Sequence, residues 1–72
     1  MDGLDYTIIF IYDIEGYEEA FIVGETEAEF FMEQVENKKE GEYYIIRDEE
    51  FLVEEVSHIE YFKIDFDKVR EG

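Results

Sequence analysis

The sequence predicts a small α+β domain in the order ββαβββ, with one amphipathic helix packed on an antiparallel sheet. Three observations predict it. Runs rich in β-branched and aromatic residues recur at 6–12, 17–23, 42–47, 51–56 and 59–66. A single segment, between the second and third runs, repeats its apolar residues with a helical period instead. Seven Phe and six Tyr supply large apolar side chains, whereas high charge with few aromatics would imply disorder. One helix on one antiparallel sheet is the simplest arrangement that buries all of these faces.

Each element has its own signal. In "YTIIFIY" at 6–12 both faces are apolar: Tyr6, Ile8, Phe10 and Tyr12 on one, Thr7, Ile9 and Ile11 on the other. A strand of that kind is expected at the centre of a sheet, covered on both sides. "DIEG" at 13–16 fits a type I turn, with Asp first and Gly fourth, and makes 6–12 and 17–23 a hairpin. Gly24 ends the second strand. Thr26 and Glu29 form the capping-box pattern, and Ala28, Phe31, Met32 and Val35 follow at i, i+3, i+4 and i+7, so a helix is expected at about 27–39. Lys38 and Lys39 suit its negative end, and Gly41 is the expected stop. "EYYIIR" is the third strand, with one of Tyr43 and Tyr44 facing out. "DEE" is a tight connection and "FLVEEV" the fourth strand. "SH" at 57–58 breaks the pattern before "IEYFKIDF", whose Phe62, Ile64 and Phe66 share a face. Residues 66–72 read as a tail that frays, so 1–72 form one domain with no repeat and no linker. Uncovered sheet edges are expected, and they leave homodimerisation open.

Composition narrows the function. Sixteen Glu and six Asp stand against four Lys and two Arg, for a net charge of −16. Charge of this size argues against direct binding to nucleic acid or to anionic membranes, because phosphate binding is driven by Lys and Arg. A basic protein surface is the natural complement. The N-terminus "MDGLDY" lacks the positive start of a signal peptide, and no apolar run approaches the roughly 20 residues of a membrane helix, so a cytoplasmic protein is expected. With no Cys and one His, no thiolate or histidine zinc site can be built, and no cofactor is expected.

The charge is concentrated. "ETEAEFFMEQVE" at 25–36 carries five glutamates, and between Asp13 and Glu36 there are nine acidic residues and no basic one. Glu29, Glu33 and Glu36 fall on one helix stripe that Glu40 would extend. Like charges at i,i+4 cost a helix about 0.2–0.5 kcal/mol per pair, a cost that interspersed lysines would remove. A solvated face in an acid- or salt-adapted protein would carry such charge too. Glu far outnumbers Asp here, however, and the apolar residues are large, which fits a halophilic composition poorly. Phosphate mimicry fits better. Carboxylates four apart on a helix are about 6 Å apart along its axis, and alternate ones on a strand about 6.5 Å apart, spacings that suit a basic groove tracking a nucleic-acid backbone. Glu18, Glu19, Glu49, Glu50, Glu54, Glu55 and Glu60 would extend the field, and Phe30, pointing away from the apolar face, would anchor the contact.

The composition is similar to that of small acidic inhibitors from phages and mobile elements, anti-restriction and anti-CRISPR proteins among them. By that analogy the expected function is inhibition of a host defence or DNA-processing protein. The expected partner-binding residues are Glu18, Glu19, Glu25, Glu29, Phe30, Glu33 and Glu36, acting in the host cytoplasm. The alternative is a self-associating accessory module joined through a sheet edge. No catalytic constellation is expected: Ser57 and His58 are adjacent and so point apart. "DIEGYEE" fails the spacing of a calcium loop, and neither a P-loop nor GxGxxG occurs.

Overall fold

The apolar run near the start of the chain becomes the central strand of a sheet. The computed structural model describes residues 5–65; Phe66 and the tail at 66–72 lie outside them. The elements are β1 (Asp5–Asp13), β2 (Glu18–Gly24), α1 (Glu25–Asn37), β3 (Tyr43–Ile46), β4 (Glu49–Leu52) and β5 (Val56–Asp65). The order is ββαβββ, with one helix packed on an antiparallel sheet. Five strands do not share one ladder, however. β2, β1 and β5 form a three-stranded sheet with β1 in the middle, and β3 pairs only with β4.

The first hairpin closes as its turn residues dictate. Gly16 N–H donates to Asp13 O at 3.0 Å, and Asp13 N–H to Tyr17 O at 2.8 Å. The Asp13 carboxylate accepts from Glu15 N–H. Gly16 stands at φ +100, a left-handed conformation that side chains resist. In the second hairpin the two turn residues are Arg47 and Asp48, and Arg47 takes φ 54 without being glycine.

The core lies on one face of the three-stranded sheet. Ile9, Ile11 and Val23 from that sheet, Ala28 and Phe31 from the helix, and Tyr44 and Ile46 from the second hairpin are buried together. Phe31 stacks edge-on against Tyr44 with ring centroids 5.9 Å apart, and Phe21 against Phe51 likewise at 5.9 Å. The second hairpin is joined to the helix through Gln34. Its amide donates to Ile45 O and accepts from Ile45 N–H, both at 2.8 Å, supplying the bonds that a neighbouring strand would give β3. Arg47 adds a second joint. Its guanidinium donates to Ile22 O of β2 at 2.6 Å and lies 3.5 Å from the Glu27 carboxylate.

Several expectations are corrected. The helix starts at Glu25, not 27, with Gly24 as its N-cap and no side-chain cap. Thr26 therefore sits inside the first turn and closes no capping box. The helix ends at Asn37, where Lys38 N–H closes on Gln34 O at 2.8 Å. Gly41 lies in the connection beyond, its N–H held by Glu54 at 2.8 Å. Met32 is exposed, because the second hairpin packs on the Gln34 flank and turns the buried face toward it. The fourth strand stops at Leu52, and Val53–Glu55 form one 3-10 turn. Ser57 and His58 belong to β5. The register passes from Tyr12–His58 to Asp13–Val56, so the local irregularity at Ser57 is a bulge, which leaves the strand unbroken.

The largest correction concerns β1, which is central but, among the described residues, has other elements packed on one side only, with Ile8, Phe10 and Tyr12 half-buried on its second face. On the helix side Ile9 and Ile11 are 0% and 2% exposed, whereas on the other face Ile22 and Phe62 are 56% and 50% exposed. The single helix and the second hairpin both lie on the first face, and among the described residues nothing lies over the second.

Arg47→Ala is expected to cost about 1.5–3 kcal/mol for the lost charged hydrogen bond, with little added from the exposed ion pair. Arg47→Gly loses the same contacts but relieves the left-handed backbone, worth about 1 kcal/mol. Urea unfolding should therefore rank wild type above the Gly variant and the Gly variant above the Ala variant. The reverse order of the two variants would show that backbone conformation is not limiting there.

Candidate functional site

The acidic helix stripe forms because the helix commits its opposite side to the core. At 3.6 residues per turn, the buried direction runs through Ala28, Phe31 and Val35, with Glu27, Gln34 and Lys38 half-buried beside it. Glu25, Glu29, Glu33 and Glu36 cluster on the far side, and all four are exposed. Phe30 projects beside them at 64% exposed, bordering a shallow hollow lined by Thr26, Glu29 and Glu33.

Two of the described cations are paired. Arg47 serves Glu27 and β2, and Lys63 reaches Glu25 at 4.0 Å, a long and exposed pair. Among the described residues no cation lies within ion-pair reach of Glu29, Glu33 or Glu36. Three carboxylates thus stand on one solvent-facing stripe with their mutual repulsion uncompensated.

The seven candidate residues do not form one patch. Glu18 and Glu19 begin β2 and Glu25 follows its end, so about 20 Å of strand separates them. They also point to opposite faces of the sheet. Glu19 lies beside Tyr17 and Phe51 on the helix side, and Glu18 is registered with Tyr12 on the open side. The helix group of Glu25, Glu29, Phe30, Glu33 and Glu36 is the contiguous set.

Sequence reasoning missed a polar corner on the open face. Tyr12 hydroxyl donates to Glu60 at 3.3 Å, His58 Nε2 lies 2.9 Å from the other Glu60 oxygen, and the Tyr12 and His58 rings are 5.3 Å apart. Desolvation, with Glu60 and Glu18 nearby, pushes the Tyr12 hydroxyl above its ordinary value, so it stays protonated. The hydrogen bond from His58 draws the Glu60 carboxyl below its ordinary 4.5. A depressed carboxylate contributes stability above its unfolded pKa, and that contribution is lost as pH falls through the folded value. An NMR titration should place the Glu60 midpoint below 4.5, and His58→Ala should move it upward. An unchanged midpoint would remove His58 as the cause. The signal for this corner was the alternation His58, Glu60, Phe62, Ile64, legible only once "SH" is taken as strand.

Among the described residues no three His, Asp or Glu side chains come together to hold a metal ion, and no helix is long and apolar enough to cross a membrane. The chain matches no protein-family model, no curated protein and no solved structure. Its function therefore has to be argued from its own residues.

Proposed function

We propose that this protein is an acidic, protein-binding inhibitor. It occupies the basic nucleic-acid-binding site of a host defence or DNA-processing protein by presenting carboxylates in place of phosphates, in the cytoplasm of the host cell. It is no enzyme, and it touches neither nucleic acid nor membrane itself. The observation that carries this reading is the exposed stripe of Glu29, Glu33 and Glu36, opposite the buried helix face and without a counter-cation among the described residues. Interspersed lysines would keep such a face solvated without the repulsion, whereas a ligand for a basic groove gains association rate from the carboxylates. Phe30 supplies the apolar anchor beside the charge, the kind of large side chain that dominates interface energies. Glu25 extends the stripe, and Glu18 and Glu19 contribute long-range field without sharing the contact.

The test is capture from lysates of candidate host cells, with the wild type beside a Glu29→Lys, Glu33→Lys, Glu36→Lys variant. A nucleic-acid-binding protein should be retained by the wild type alone, and short duplex DNA should displace it. Retention of the same proteins by both baits, or no displacement by DNA, would remove the mimicry reading.

A further inference from the structure

The open face of the three-stranded sheet is a grid of four rows set by the strand registers. Reading across β2, β1 and β5, the rows are Gly24–Tyr6–Ile64, Ile22–Ile8–Phe62, Ala20–Phe10–Glu60 and Glu18–Tyr12–His58. Phe10 and Phe62 meet edge-to-face with centroids 5.6 Å apart at its middle. The charged residues lie at one end, Glu18 on the β2 edge and Glu60 with His58 on the β5 edge. On a chain of net charge −16, its middle rows are apolar, with Ile22 and Phe62 exposed and Ile8 and Phe10 half-buried, and apolar patches of this kind mark association sites.

We infer that a second copy of this chain covers it. The two sheets would stack face to face about a two-fold axis running along β1. An axis in that direction places each β2 over the partner's β5, and the rows then set small residues against large ones. Glycine at 24 faces Ile64, Ile22 faces Phe62, Ala20 faces the longer Glu60, and Glu18 faces His58. Phe10 meets Phe10 and Ile8 meets Ile8 on the axis. Such an isologous contact needs no other partner and closes at two copies, with the slight rotation usual for twisted sheets.

The area is sufficient. Three strands about 4.8 Å apart and four rows spanning about 20 Å give a footprint of roughly 300 Å², or about 500–600 Å² of accessible surface per copy once side-chain relief is counted. Two copies bury roughly 1,000–1,200 Å², the lower end of specific interfaces, so micromolar association is expected. The charge does not forbid it. The acidic helices lie on the far sides of the two sheets. Sheets stack about 10 Å apart and a helix with its side chains is about 10 Å across, so the stripes end roughly 30 Å apart. That exceeds the Debye length of about 8 Å at physiological salt. This inference is independent of the mimicry reading and compatible with it: the dimer shows one acidic stripe on each outer side.

Sedimentation equilibrium of the full chain from about 5 to about 200 µM is the test. The mass should rise from 8.7 kDa toward twice that value. Phe62→Glu and Ile22→Glu should each weaken the dimer at least tenfold while circular dichroism stays native, because both side chains are already half exposed. Raising NaCl from about 0.05 to about 0.5 M should hold or tighten the dimer by screening like charge, the opposite of its effect on a contact made by the acidic stripe. A monomer throughout, a dimer indifferent to both substitutions, or a dimer dissolved by salt would overturn the inference.

Discussion

Phe31→Ala is expected to lower the melting temperature by more than about 15 °C. Phe31 is 1% exposed, and it touches both halves of the fold. It belongs to the helix, packs in the cluster with Ile9 and Val23, and stacks on Tyr44 of the second hairpin. Truncating a buried Phe costs about 3–5 kcal/mol. A chain of 72 residues has roughly 4–11 kcal/mol in total, so the variant forfeits a large share of it. The neighbouring Phe30→Ala removes a ring of the same size that is 64% exposed and should shift the midpoint by only a degree or two (surface changes usually fall within about 0.5 kcal/mol). Similar losses from both variants in thermal melts would mean that the helix faces are assigned wrongly.

The second large effect concerns partner binding. Replacing Glu29, Glu33 and Glu36 by Lys raises the net charge from −16 by six units and inverts the stripe. Electrostatic steering changes association rates by about 10–1,000-fold, so binding to a basic partner should fall by at least tenfold in rate and further in affinity. The fold should survive. The introduced lysines repel one another as the glutamates do, and none of the three glutamates holds an ion pair among the described residues. The corresponding Gln variant, which removes charge without inverting it, should lie between. Surface-plasmon measurements at two salt concentrations would check the order. Equal binding by all three proteins would place the contact elsewhere.

The elements themselves were legible in the sequence because each carries a local signal. β1 is an unbroken β-branched and aromatic run, the helix repeats at 3.6, and Asp13 with Gly16 marks the first turn. What an apolar run cannot convey is whether the second face of a strand is covered. Tyr6, Ile8, Phe10 and Tyr12 read as buried because they are apolar, yet among the described residues the helix lies on the other side. The division into two ladders was equally hidden, since it depends on a side-chain amide. Gln34 bonds to Ile45 where a strand would, and no propensity scale records that. Met32 was misplaced for the same reason: the position of β3 turns the helix. In the site, the stripe of Glu29, Glu33 and Glu36 followed directly from helical spacing. The separation of Glu18 and Glu19 from it needed the strand register, because neighbours in a strand face opposite ways.

The central strand has an implication for how the chain is made. β1 is synthesised before β5, yet β5 is one of its two partners: Ile9 pairs with Tyr61, fifty-two positions later (61 minus 9). At the ribosomal pace of about 5–20 residues per second, one edge of "TIIFIY" waits roughly 3–10 s for its neighbour. For that interval the most apolar strand of the molecule is an unpaired edge.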